Sequence, residues 1–123
     1  QTMSTILAST IVQDTIIDSL ITEAKNKGYI GWQFDFEHMI ATDRDAYGSF
    51  VERTAKKFNE QKLMLSVAVI GRTSENPKDL PERSWDYWAG VFDYKRIGKA
   101  ADFVTLMGTT NLHQKVPWRV CPG

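Results

Sequence analysis

A nearly continuous run of apolar residues from Leu63 to Ile70 is the feature that most constrains the fold of this chain. Runs of this length that do not alternate with polar residues are typical of strands buried on both faces, as in parallel sheets. A further strand is predicted over 102–107. Because parallel strands need long crossover connections, usually helices, the run favours an α/β fold.

Segments of helical periodicity alternate with these strands. The spacing of apolar residues predicts a helix over 11–27 that is capped by Gly28. A second helix can be capped by Thr42 or Asp43, and a third is predicted at about 93–100. Strands that alternate with helices predict parallel βαβ units. The three predicted strands are too few to close a barrel. Two interpretations of the fold therefore remain, a small open α/β sheet and a fragment of a barrel.

The segment Tyr29–Glu37 alternates strictly, which predicts a strand with one apolar and one polar face. The polar face ends in two carboxylates, Asp35 and Glu37, which point the same way. Two close carboxylates do not both ionise easily, so the pKa of one rises and that group can serve as an acid near neutral pH. The alternative is a polar face that is simply exposed to solvent.

Composition narrows the classes of function. The 15 basic and 15 acidic residues balance, so the chain has no electrostatic footprint for nucleic acid or an anionic membrane. No apolar run is long enough for a transmembrane helix, and the N-terminal residues do not resemble a signal peptide. The single cysteine, Cys121, and the spacing of the histidines suggest no metal site. We predict neither a metal nor a cofactor.

The stretch GYIGWQFDFE, residues 28–37, resembles the signature of glycoside hydrolase family 18, Asp-Gly-x-Asp-x-Asp-x-Glu. Gly31 matches the glycine, Asp35 the third Asp and Glu37 the terminal Glu. Gln33 stands at the second Asp, and Ile30 stands at the first. The neighbouring helices and strands also follow the family's order over about 11–107. The resemblance implies a single partial (β/α)8 TIM barrel domain, with strands four to six and their helices.

The resemblance also implies a retaining hydrolase of glycans that contain β-linked N-acetylglucosamine, such as chitin or peptidoglycan. Its mechanism is substrate-assisted. Glu37 would protonate the leaving oxygen and later act as the base for water, while Asp35 would orient the substrate's acetamido group. Gln33 would hydrogen-bond Asp35, and Gly31 and Met107 would contribute to the sugar site. The parent protein is expected to be secreted or attached to the cell envelope.

The tail departs from the family's pattern. After the third strand the family has x-Tyr-Asp, whereas this chain has Gly108-Thr109-Thr110. Residues 108–123 are therefore divergent or aberrant, and a frameshift is one explanation, because permissive codons allow Tyr-Asp-Gln in another frame. Two alternatives to a hydrolase follow, a non-catalytic glycan-binding relative and an inactive truncated fragment. Three barrel strands would leave exposed sheet edges, which favours self-association.

Overall fold

The computed structural model describes residues 3–36, 39–70, 78 and 90–107. Its elements, in chain order, are α1 (Met3–Leu7), α2 (Thr10–Lys27), β1 (Gly31–Phe34), a short 3-10 helix (Ala41–Asp43), α3 (Arg44–Glu60), β2 (Met64–Ile70), α4 (Tyr94–Ala100) and β3 (Phe103–Met107). This order confirms the predicted alternation of helices and strands. Between β2 and residue 90 the structure describes only Lys78.

The three strands form one parallel sheet in the order β1-β2-β3. In this register Gln33 lies beside Ser66, and Ser66 lies beside Phe103. Leu65, Val67 and Val69 are fully buried, and Ser66 and Ala68 between them are buried as well. The apolar run thus forms a central strand that is covered on both faces, as the sequence predicted.

The ends of α2 follow from its sequence. The Ser9 side chain accepts a hydrogen bond from the backbone N–H of Val12, which caps the first turn. At the other end Gly28 adopts a left-handed conformation with φ of 71°, and its N–H donates to the carbonyl of Ala24. These caps confirm the predicted helix to within one residue at its start.

The start of α3 differs from the prediction. Asp43 occupies the N-cap position, but its side chain makes no capping hydrogen bond. Its carboxylate instead accepts a hydrogen bond from the hydroxyl of Ser4 at 3.0 Å. The helix begins directly after a 3-10 turn, so the preceding turn already directs the chain into the helix.

One face of the sheet packs against helices. The indole Nε1 of Trp32 donates to the carbonyl of Leu20 in α2 at 2.9 Å. The ring of Phe34 stacks on Phe50 of α3, with centroids 5.3 Å apart. We call this side of the sheet the helix face. The opposite side, which we call the inner face, carries Gly31, Gln33, Ser66 and Ala68 because side chains alternate along a strand.

The strand β1 is shorter than the predicted segment from Tyr29 to Glu37. Ile30 precedes it, and its side chain is 61% exposed. The backbone of Gly31 packs directly against that of Met64, its partner in β2. The carbonyl of Ile30 also accepts a hydrogen bond from the N–H of Met64 at 2.9 Å, so the backbone there is still paired with β2 although the side chain is exposed.

Candidate functional site

The inner face of the sheet is polar although it is buried. Gln33 is 3% exposed and Ser66 is 1% exposed, and the two residues are partners in the parallel register. A strand on a solvent-facing sheet would leave such side chains in water. The burial of Gln33 therefore excludes the interpretation of this polar face as a wet surface.

Two atoms of this face lack hydrogen bonds. Within the part of the chain that the structure describes, neither Oε1 of Gln33 nor Oγ of Ser66 has a partner. A buried polar atom without a partner destabilises the fold by about 1–3 kcal/mol, and such atoms are few in native proteins. Atoms of this kind concentrate where a protein binds or transforms something, so the inner face is the candidate functional site.

Gly31 allows β1 and β2 to approach each other at the start of this face. A Cβ atom at position 31 would lie 2.1 Å from the carbonyl oxygen of Met64, far inside contact distance. Gly31 lies at the first residue of β1, about 13 Å along the strand direction from Asp35 at the usual rise per residue. Its observed contact is with backbone, and its contribution to sugar binding stays a prediction.

Asp35 follows the last residue of β1, at the carboxyl end of the parallel strand. The next residue, Phe36, contacts Phe34 and the ring of Tyr47, the latter with centroids 6.4 Å apart. Tyr47 comes from the first turn of α3, is fully buried, and also packs edge-to-face on Phe92. Asp35 and Tyr47 therefore lie in the same region above the end of β1.

The electrostatics of Tyr47 connect it to Asp35. Burial raises the pKa of the Tyr47 phenol far above its usual value, and the negative charge of Asp35 raises that pKa further. The phenol therefore stays protonated and neutral at any working pH. Its hydroxyl is buried and has no hydrogen-bond partner within the described ranges.

Of the remaining predicted site residues, Glu37 is not described by the structure and Met107 is. Glu37, the predicted catalytic acid, lies outside the described residues, as does His38. Met107 is the last residue of β3 and pairs with Ile70 of β2, so its backbone lies at the carboxyl end of the sheet. Gln33 thus lies in β1 and Asp35 directly follows that strand, whereas Met107 ends β3 on the other side of β2. Asp35 and Met107 both lie at the carboxyl edge of the sheet.

Two residues of this region were not among the predicted site residues. Ser66 interrupts the apolar run of β2, and that single polar residue in a buried strand was the available signal. Tyr47 is part of the apolar periodicity of α3, which gave no indication that its hydroxyl points to a polar region. Both depend on contacts between elements that are distant in sequence.

Among residues 3–36, 39–70, 78 and 90–107, no three His, Cys, Asp or Glu side chains group together as metal ligands would. None of the helices in these ranges combines the length and apolar character that crossing a membrane requires.

Comparison with known proteins identifies the relatives of this sheet. The chain is 33% identical to an uncharacterized glycosylase, YvbX of Bacillus subtilis, over 85% of this chain and 28% of that protein. Its structure matches the Bacillus megaterium spore cortex-lytic enzyme SleL with a TM-score of 0.73 and 33% identity, over 83% of this chain and 22% of SleL. These relatives confirm the resemblance to glycoside hydrolase family 18 over most of the chain. No protein-family model matches it.

A class V chitinase from Pseudomonas fluorescens shares the fold of this segment. The TM-score is 0.72 at 22% identity, over 83% of this chain and 28% of the chitinase. The chain therefore spans between a fifth and a third of the length of these three relatives. The described part of the chain is a small α/β piece with a three-stranded parallel sheet, and its structural neighbours are TIM-barrel enzymes.

Proposed function

We propose that this chain is the acid-bearing segment of a family 18 glycosidase that cleaves glycans containing β-linked N-acetylglucosamine. The observation that carries the proposal is a buried polar face whose carboxyl end holds Asp35, on a parallel sheet of family 18 type. Relatives named glycosylase, spore cortex-lytic enzyme and chitinase support this substrate class. Residues 11–107 then correspond to strands four to six of the barrel, and 108–123 form a divergent tail.

The proposed chemistry uses the last two polar positions of the signature. Glu37 protonates the leaving glycosidic oxygen, and the substrate's own acetamido oxygen attacks the anomeric carbon. The Asp35 carboxylate orients the acetamido group and stabilises the positive charge of the oxazolinium intermediate. Glu37 then removes a proton from the incoming water, which opens that intermediate and retains the configuration.

The neighbours of Asp35 suit this role. Gln33 on the same face is neutral, so no second carboxylate at that position repels the charge of Asp35. Tyr47 stays neutral too, because its pKa is raised by burial and by Asp35. A carboxylate near a growing cation stabilises it more strongly where little water is present. The burial of Gln33 and Tyr47 supports such a setting at the end of β1.

A chimeric enzyme tests the proposal. Residues 11–107 of this chain would replace the matching segment of the Bacillus megaterium cortex-lytic enzyme, and hydrolysis of a chromogenic chitobioside would be followed. We expect turnover by the chimera and a loss of at least about 100-fold in kcat/KM with Glu37→Gln. Glu60→Gln, at the far end of α3, is the matched control and should leave the rate unchanged. A chimera whose turnover is the same with Glu37→Gln would refute the proposal.

A glycan-binding function without catalysis is the second candidate. Ile30 occupies the position of the first Asp of the signature and is 61% exposed, so an apolar group replaces a carboxylate beside the start of β1. Thr109 also stands where the family has Tyr. Binding of chitooligosaccharides with no turnover, in the chimera and in the chimera with Ile30→Asp, would favour this candidate over the hydrolase.

We also propose that the isolated 123-residue chain is inactive and self-associates through β3. Three apolar side chains of this edge strand, Phe103, Val104 and Leu106, are between 40% and 60% exposed. Exposed apolar edge strands pair readily with other chains. Light scattering after size exclusion should show species larger than 14.0 kDa, and Leu106→Lys should shift them toward monomer. A monomeric and active isolated chain would contradict this expectation.

A further inference from the structure

The pair formed by Gln33 and Ser66 supports an inference beyond the proposed chemistry. We propose that Ser66 is a positioning residue whose hydroxyl is hydrogen-bonded to Oε1 of Gln33 through one bridging water, because the two oxygens form no direct hydrogen bond with each other. This bond would fix the Gln33 amide so that its Nε2 faces Asp35. The consequence of this hydrogen bond for catalysis rests on the proposed function, in which Asp35 orients the acetamido group. The existence of the hydrogen bond does not depend on that function.

The register of the sheet places the two side chains next to each other. Gln33 and Ser66 are Cα partners on neighbouring parallel strands, which lie about 4.8 Å apart, and their side chains project from the same face. Both residues are at least nine-tenths buried. Neither oxygen has a hydrogen-bond partner among the described residues, so each lacks the interaction that would offset its removal from water.

The surroundings leave few other partners for these atoms. Along the inner face, Gly31 precedes Gln33 on β1, Met64 and Ala68 flank Ser66 on β2, and none of the three has a side-chain hydrogen-bond donor. On the third strand Ser66 is beside Phe103, which also has none. Asp35 follows Gln33 on the same face, but a carboxylate accepts hydrogen bonds and cannot donate one to Oε1 of Gln33. Among these sheet residues, the Ser66 hydroxyl is therefore the nearest side-chain donor for that oxygen.

A hydrogen bond at Oε1 of Gln33 also determines the direction of the other end of its amide group. A glutamine amide accepts at Oε1 and donates at Nε2, and the two ends can exchange by rotation of the group. A water bound to Ser66 holds Oε1 on the side of β2, which leaves Nε2 free to donate along β1. Asp35 lies two residues further on the same face of that strand. Because Ser66 is 1% exposed, it acts on Asp35 through Gln33 and does not touch a glycan.

A double-mutant cycle on the full 123-residue chain tests the proposal. We expect Ser66→Ala to lower the folding equilibrium constant about fivefold, because Gln33 loses its bridged donor. In a Gln33→Met background the same substitution should leave the constant unchanged or raise it. Ser66→Thr, which keeps the hydroxyl, should restore most of the loss. An equal effect of Ser66→Ala in both backgrounds, or a gain in the original chain, would overturn the proposal.

Nuclear magnetic resonance provides a readout that a packing role alone would not move. The side-chain amide signals of Gln33 should shift in Ser66→Ala and return in Ser66→Thr, while Ser19→Ala on the exposed side of α2 leaves them in place. If the Ser66 variants do not fold, the spectrum of the unmodified chain tests the hydrogen bond. A Ser66 hydroxyl proton with a cross-peak to Gln33 supports the bond, and one that exchanges freely with bulk water overturns it. Neither readout depends on hydrolysis, so a failure of the glycosidase proposal would be recognised separately.

Discussion

The two faces of the sheet differ in how completely their polar groups are satisfied. On the helix face, Trp32 donates its indole N–H to α2, and Phe34 stacks on α3. On the inner face, Gln33 and Ser66 are equally buried, yet oxygens of both lack hydrogen bonds within the described ranges. The contrast indicates that the helix face stabilises the fold, whereas the inner face is shaped for a different purpose.

This difference is the pattern expected of an enzyme scaffold. In a parallel sheet with helices packed on its faces, ligands bind beyond the carboxyl ends of the strands. Asp35 lies at this end of β1, and Met107 ends β3 at the same edge. Stability is thus provided by one side of each strand, and the chemistry we propose starts from the other.

The largest effect is expected on the helix face. Phe34→Ala removes a fully buried ring that contacts Phe36 and Phe50, and should lower the free energy of unfolding by about 3–5 kcal/mol. Chemical denaturation would measure it. Phe34→Leu fills part of the space and should have a smaller effect. A loss below about 1 kcal/mol for the alanine variant would show that the helix face does not dominate stability.

The next largest effect should come from the close approach at the start of the inner face. Gly31→Ala places a methyl group 2.1 Å from the Met64 carbonyl oxygen, so β1 must move away from β2. We expect a loss of about 1–3 kcal/mol in the free energy of unfolding. Gly98→Ala in α4 is the matched control, because a Cβ there meets nothing within 4 Å. The control should be neutral or stabilising, and equal losses for both variants would remove the steric explanation.

A substitution at Tyr47 can distinguish the contribution of its ring to stability from that of its hydroxyl group. Its ring contacts Phe36 and Phe92, whereas the buried hydroxyl has no partner among the residues described. We expect Tyr47→Phe to raise the free energy of unfolding by about 1 kcal/mol, because it removes an unsatisfied group and keeps the ring. Thermal and denaturant unfolding would measure this. A clear loss would instead show that the hydroxyl is used, with Asp35 as the nearby charged group.

The smallest effect is expected in the helical layer, away from both faces. A hydrogen bond from Arg53 lowers the pKa of Asp14, and one from Arg96 lowers the pKa of Glu52. Because these folded-state pKa values are below the unfolded ones, the stabilisation is present above about pH 4 and is lost as the pH falls through the folded values. Asp14→Asn should flatten the decline of stability below pH 4. An unchanged acid decline in Asp14→Asn would contradict the assignment for that carboxylate.

Much of the fold could be predicted because its signals are local. The apolar run of β2, the periodicity of α2 and the glycine at its end each specify an element within a few residues of sequence. The errors came from contacts that the local pattern does not contain. The Asp43 carboxylate accepts a hydrogen bond from Ser4 of α1, a helix distant in sequence, and β1 is limited to Gly31–Phe34, which pair with β2, within the longer predicted segment.

The residues of the candidate site also differ in whether local sequence signals could identify them. Strand alternation was sufficient to place Gln33 and Asp35 on one side of β1, and the family resemblance supplied their expected roles. Ser66 and Tyr47 could not be recognised in this way, because strand register and the packing of α3 bring them to the site from elsewhere in the sequence. The roles of Glu37 and Asp35 in catalysis stay predictions.

If the polar side of β1 carries out glycoside hydrolysis, as we propose, its substitutions must separate from those on the helix face. In the chimera with the cortex-lytic enzyme, kcat/KM for a chitobioside and the free energy of unfolding would be measured for Asp35→Asn and for Phe34→Leu. We expect Asp35→Asn to lower kcat/KM by at least about 100-fold with little change in stability, whereas Phe34→Leu lowers stability and largely keeps the rate. An Asp35→Asn chimera that retains its rate would contradict the claim.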